Sequence, residues 1–185
     1  MVTDAGQAVP AKAEAIVEAA AGLFLRLGFR GTSMEAIARD AGVAKPTLYA
    51  YFPDKDAVFS DVAAWLLGRM RAVKEAALGG DGPMAGRIAA ALIAKQQLIE
   101  DVVGASPHAA ELLDEHRRSS GALVERHHGW WLDRVEAEIR AAGVKNARMA
   151  AETVVAGAEG IAARAGNADQ KAQMIALLCA GILGG

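Results

Sequence analysis

The sequence predicts an all-α chain of about nine helices, and three observations point there. Alanine and leucine dominate while β-branched residues are sparse, a balance that favours helix over sheet. The five prolines fall between periodic segments, and within those segments apolar residues recur at three- and four-residue spacing. At 185 residues and 53% hydrophobic content, the chain can bury a core.

Ile16, Ala19, Ala20, Leu23, Phe24 and Leu27 share one helical face, so a first helix is expected from about Lys12 to Leu27. Gly28 is expected to end it, with Phe29 folding back onto Phe24 in a Schellman close. Thr32-Ser33-Met34-Glu35 reads as a capping box, Thr32 taking the amide of Glu35 while Glu35 reaches back, and starts a second helix. That helix turns Met34, Ile37, Ala38 and Ala41 inward and closes at Gly42, where the missing Cβ permits a sharp reversal. Only Val43 and Ala44 separate it from a short third helix with Pro46 in its first turn, stopped at Phe52 by Pro53. Leu48 and Phe52 face inward, leaving Lys45, Thr47 and Tyr49 outward and Tyr51 near the edge. Two short helices on a tight glycine turn form a helix-turn-helix, whose second helix enters a DNA major groove.

Asp54 is expected to cap a fourth helix in which Val58, Phe59, Val62, Trp65, Leu66, Met70 and Val73 keep the apolar period to about Ala77. At ~1.5 Å per residue it spans over about 30 Å, enough to link a head, residues 1–55, to a body, residues 56–185. Gly79-Gly80-Asp81-Gly82-Pro83 breaks the chain. Five more helices are expected, at Met84 to Val103, Pro107 to Arg118, Gly121 to Ala142, Asn146 to Ala165 and Asp169 to Leu183. Ser106-Pro107 starts one of them, Asn146 caps another after Gly143 has ended its predecessor, and Gly166-Asn167 separates the last pair.

Charge alone does not point to a partner. The net charge is -2, and from Pro10 to Lys55 the cations Lys12, Arg26, Arg30, Arg39, Lys45 and Lys55 nearly balance Glu14, Glu18, Glu35, Asp40 and Asp54. The single cysteine, Cys179, excludes an internal disulfide and reads as a small buried apolar residue in a reducing compartment. The stretch Met1 to Pro10 lacks the order of a signal peptide, and Met174 to Leu183 is too short to span a bilayer, so a cytoplasmic chain without membrane contact is expected. No GxSxG, no GxxxxGK[ST] and no convincing carboxylate pair points to catalysis or a cofactor. His108 and His116 lie two turns apart and His127-His128 are adjacent, near Glu111, Asp114 and Glu115, but none of these spacings is a metal-binding motif.

The run from Gly31 to Phe59, GTSMEAIARDAGVAKPTLYAYFPDKDAVF, resembles the DNA-binding domain of the TetR/AcrR family of bacterial regulators. The resemblance implies a three-helix DNA-binding head, a ligand-binding body and a homodimer formed through the last two helices. It places Lys45, Pro46, Thr47 and Tyr49 against base edges and nearby phosphates, Thr32 and Ser33 beside the phosphate backbone, and Tyr51 and Lys55 on phosphates. Ala44 stands where many relatives have serine, which removes a possible helix cap or phosphate contact. The function implied is a repressor that leaves operator DNA when a small, largely apolar effector binds. The alternative is a helical ligand-binding or protein-interaction module that does not use its head.

A pocket among the body helices would draw on Trp65, Met70, Ile88, Leu92, Gln96, His127, Trp131, Met149 and Thr153, most of which also read as ordinary core. Gln96, His127 and Thr153 stand out as polar groups on apolar faces, which need partners. For the dimer, Ala150, Val154, Gly157, Ala158 and Ile161 line one helical face, and Met174, Leu177, Leu178, Gly181 and Ile182 another. The same faces could instead bury within one chain.

Overall fold

The computed structural model describes residues 11–104, 106–109, 111–112, 115, 121–164 and 166–184. Among them the chain forms eight α-helices: α1 (Ala11–Gly31), α2 (Met34–Asp40), α3 (Lys45–Tyr51), α4 (Lys55–Leu78), α5 (Met84–Ile99), α6 (Gly121–Ala141), α7 (Ala147–Ala162) and α8 (Ala168–Leu183). One π-helical turn, Glu100–Gly104, extends α5. Half of the helix expected from Pro107 to Arg118 lies outside the described residues.

The chain divides into two compact units, residues 1–69 with 102–124, and residues 70–101 with 125–185. Val58 and Phe59, at the start of α4, complete a core with Ile16, Phe24, Ile37, Leu48 and Phe52. Phe24, Phe29 and Phe59 pack as a trio with ring centroids 5.7, 5.3 and 5.2 Å apart.

Gly28 behaves differently from the expected helix end. It interrupts α1 at φ 75, ψ 169, which is not the left-handed helical cap, and a further turn follows it to Gly31. Phe29 does fold back on Phe24. Two Schellman closes occur elsewhere. The amides of Gly42 and Val43 donate to Arg39 O and Ala38 O, and those of Gly143 and Val144 donate to Arg140 O and Ile139 O, with Gly42 at φ 66 and Gly143 at φ 79.

The second unit has its own core, centred on Leu78, Ile88, Leu92, Trp131, Val135, Ile139, Ala151, Val154, Ile175 and Cys179. Cys179 is buried, and burial pushes its thiol up to about 11. Along α4 the buried residues are Val58, Phe59, Ala63, Leu67, Met70, Lys74 and Leu78, whereas Val62, Trp65, Leu66 and Val73 are half-buried. Asn146, expected to cap α7, adopts a left-handed backbone at φ 56 without a side-chain cap bond, while Asn167 caps α8 by accepting from Gln170 N at 2.8 Å. No helix among the described residues is long and apolar enough to cross a membrane.

Candidate nucleic-acid interface

The exposed side of α3 is built from its sequence in about two turns. Leu48 is fully buried and Phe52 closes the helix from inside, so Lys45, Pro46, Tyr49, Ala50 and Tyr51 are left on the outside, with Thr47 half-buried. Tyr49 and Tyr51 are 43% and 39% exposed, far more than packing would leave to two large rings. Ala44 opens α3 without any side-chain cap bond, as an alanine must, and Pro46 occupies the first turn, where no amide is needed.

Lys45 reaches across to Glu35 of α2 and lies 5.9 Å from the centre of the Tyr49 ring. Hydrogen bonding to Lys45 holds the Glu35 carboxyl below its ordinary value, and the same bond raises Lys45. The pair is exposed and therefore weak.

Two of the expected phosphate contacts have other duties. Thr32 is 2% exposed, and its hydroxyl donates to Gly28 O at 2.7 Å. Ser33, not Thr32, caps α2 by accepting from Ala36 N at 3.2 Å, and Glu35 turns to Lys45 instead of reaching back, so the capping box does not form. Lys55 donates to Phe29 O at 2.6 Å and Thr32 O at 2.8 Å, 4.4 Å from the Phe29 ring centre. It satisfies carbonyls that the end of α1 leaves over, a structural role that its position in the motif does not reveal. Asp54 caps α4 as expected, accepting from Ala57 N at 2.8 Å.

The residues expected to line a pocket are scattered. Ile88, Leu92 and Trp131 belong to the second unit's core, and Met70 is also buried. Trp65 packs in the first unit beneath Arg69. Met149 is 65% exposed, and Thr153 beside it donates to Met149 O, so both face outward from α7. Gln96 donates to Glu100 at 3.1 Å beside a cleft lined also by Ile93, Gln97, Ala168, Ala172 and Ile175. His127 meets Lys74, a buried lysine that the apolar period of α4 gave no reason to expect. His108 lies 3.5 Å from Glu111, and His128 lies 3.8 Å from Glu159. His116 and Asp114 are outside the described residues.

The expected dimer faces are partly exposed and partly buried within the chain. Val154 and Ala158 are in the chain's own core, and a Cβ on Gly157 would come within 2.6 Å of Leu178 of the same chain. Ile161, Leu178 and Ile182 are half-buried. The exposed residues of α7 include the stripe Met149, Thr153, Ala156 and Gly160, rotated from the predicted one and flanked by Arg148, Glu152 and Glu159; those of α8 include Met174, Leu177 and Gly181. Leu177, at 73% exposure, is the most open large apolar side chain among the described residues.

Residues 16–62 match the family model described as bacterial regulatory proteins, tetR family. The HTH-type transcriptional regulator RutR of Escherichia coli K12 is 46% identical over 61 residues, 33% of this chain and 29% of that protein. YhgD of Bacillus subtilis, an uncharacterized HTH-type transcriptional regulator, is 32% identical over 79 residues, 43% of this chain and 41% of that protein. The matched segments thus span well under half the length of these relatives. Over nearly the whole chain the fold resembles a TetR-like transcriptional regulator from Rhodococcus sp. RHA1, with a TM-score of 0.68 at 20% identity and coverage of 97% and 100% of the two chains. It also resembles the fatty acid degradation regulator FadR of Bacillus halodurans, with a TM-score of 0.66 at 14% identity and coverage of 97% and 98%.

Proposed function

We propose that the chain, whose residues 16–62 match the tetR family of bacterial regulatory proteins, is a regulator of that family that binds operator DNA as a homodimer and represses transcription until a small molecule releases it. The observation that carries the reading is the exposed set Lys45, Pro46, Tyr49 and Tyr51 on a short helix that follows the Gly42 turn. Thr47, half-buried on the same helix, and Ser33, at the start of α2, complete the proposed contact surface. Tyr49 and Thr47 read base edges, while Lys45, Tyr51 and the start of α2 hold phosphates.

Two heads are needed to read two half-sites about one helical turn apart. The exposed apolar stripes of α7 and α8, centred on Leu177, Met174 and Met149, support a two-fold four-helix interface. The effector binds in the second unit, and α4, a continuous helix with residues in both units, passes the change to the head. Release requires the effector to prefer the DNA-free state, since a ligand that binds both states equally shifts nothing. The protein acts in the cytoplasm and performs no catalysis.

The test is binding of the full chain to the DNA upstream of its own gene against a scrambled fragment of equal length, at two salt concentrations. Preference for the upstream fragment, weakening steeply with salt, is the expected result. Tyr49→Ala should then erase the preference while leaving weak binding to either fragment. Equal affinity for both fragments in the unaltered protein, together with no effect of Tyr49→Ala or Lys45→Ala, would sink the base-reading assignment.

A further inference from the structure

Lys74, near the end of α4, is 2% exposed. Its ammonium lies 2.9 Å from His127 Nε2, and 4.5 and 5.3 Å from the ring centres of Trp131 and Trp130 on α6. The charged groups around it come from four helices: Arg71 and Glu75 on α4, Lys95 on α5, His127 and His128 on α6, and Glu159 on α7. Both carboxylates of this set are already engaged. Glu75 pairs with Arg134 at 3.2 Å, and Glu159 is shared by Lys95 at 3.6 Å and His128 at 3.8 Å.

A buried ammonium is strongly unfavourable unless an anion or several acceptors meet it, and ring contacts compensate only in part. Lys74 has three N–H donors and, among the described residues, a single hydrogen-bonding partner, His127. A second donor in the same group, Trp131 Nε1, is buried without a hydrogen-bond partner among the described residues. Donors thus outnumber acceptors here, and cations outnumber carboxylates. Trp130 is half-buried, with Arg71 stacked over it at 4.4 Å, so an indole edges the group toward solvent.

We propose that Lys74, His127 and the indoles of Trp130 and Trp131 form the recognition point for an organic monocarboxylate, its carboxylate on the Lys74 ammonium and its apolar part along Trp130. The proposal rests on the reading that the second unit binds the effector, and it gives that effector a chemical class. One buried ammonium beside the unpartnered indole N–H of Trp131 matches a single negative charge better than a phosphate dianion, and the indoles favour a flat or apolar body. Burial, followed by the charge of Lys95, lowers Lys74 to about 7, and burial, followed by Lys74, lowers His127 to about 4. His127 is therefore the neutral acceptor of the Lys74 proton. An arriving carboxylate favours the charged lysine, so binding above neutral pH takes up a proton.

The experiment titrates the full chain with benzoate, octanoate, benzamide and inorganic phosphate, read by tryptophan fluorescence and by calorimetry in two buffers of different ionisation enthalpy. At least one carboxylate should bind about tenfold or more tighter than benzamide and phosphate, and its affinity should fall severalfold between pH 6.5 and 8.5 with measurable proton uptake. Lys74→Met should abolish the preference for carboxylate, and Lys74→Arg should restore part of it. Equal binding of benzoate and benzamide, a preference for phosphate, no saturable carboxylate binding at tens of millimolar, or a pH-independent affinity overturns the proposal. The pH and proton-uptake arms use the unaltered protein and do not depend on a variant's folding. DNA binding is measured on the same samples: DNA binding retained without carboxylate recognition refutes only this site, whereas carboxylate recognition without DNA binding refutes the regulator reading.

Discussion

In the first compact unit the chain turns where local chemistry leaves few choices: Gly42 takes φ 66 between α2 and α3, Ser33 caps α2, and Asp54 caps α4. In the second unit, α7 and α8 are alanine-rich helices that could present several faces, and packing selected one. On α7 the core took Ala151, Val154, Val155 and Ala158 and left out Met149, which is larger than any of them. The contrast separates features written in a few neighbouring residues from features that depend on which helix arrives from elsewhere.

Lys74 is the extreme case of the second kind, and the largest expected effect lies there. The folded chain resists protonating Lys74, held at about 7 against 10.5 by burial and then Lys95, and His127, held at about 4 against 6.5 by burial and then Lys74. The unfolded chain binds both protons more readily, so stability rises with pH between about 4 and 6.5 through His127 and between about 7 and 10.5 through Lys74. Each slope reaches at most about 1.4 kcal/mol per pH unit. Lys74→Met should flatten the upper window and stabilise the protein at pH 7 by about 1–4 kcal/mol, as replacing a buried charge by an apolar chain of similar volume commonly does. Denaturant titrations from pH 6 to 10 check this, and an unchanged slope in the variant would contradict the buried ammonium.

Gly28 sharpens the comparison from the other side. A Cβ there would lie 2.5 Å from Glu111 Oε2 and 2.8 Å from His108 Nδ1, on a backbone at φ 75. Gly28→Ala should cost about 3 kcal/mol, combining backbone strain with overpacking. Gly42→Ala, at φ 66 with open space around it, should cost only about 1–2 kcal/mol for its left-handed backbone. Similar losses in urea melts would mean that the neighbouring segment yields.

Lys55 and Lys45 divide structure from recognition. Lys55→Met should lower stability by about 1–2 kcal/mol through two lost carbonyl partners, while the salt dependence of DNA binding stays as it was. Lys45→Ala should leave stability within about 0.5 kcal/mol and reduce the salt slope by about 1. Reversed outcomes would return Lys55 to the phosphates.

The smallest effect on the fold of the single chain belongs to Leu177→Glu, below about 0.5 kcal/mol for a side chain that is exposed within that chain. Sedimentation should nevertheless show the dimer lost. A dimer that survives would move the interface away from α8.

Helix positions, the glycine turn, the inner Leu48 and Phe52 and the outer Tyr49 were legible in the sequence, because caps, prolines and helical period act within one or two turns. The duties of Thr32 and Lys55 were not. Each side chain is drawn off by a carbonyl at or near the end of α1, Gly28 O for Thr32 and Phe29 O and Thr32 O for Lys55. A backbone acceptor has no residue type to announce it.

The sequence by itself determined an all-α fold, the order of the helices among the described residues and the outward side of α3, since those follow from backbone geometry and short-range periodicity. Only the tertiary structure decided which stripe of α7 is exposed, that α4 buries a lysine, and that Trp130, Trp131 and His127 gather around it. A helix offers many faces at similar intrinsic cost, and the face that turns inward is chosen by the side chains of neighbours far along the chain.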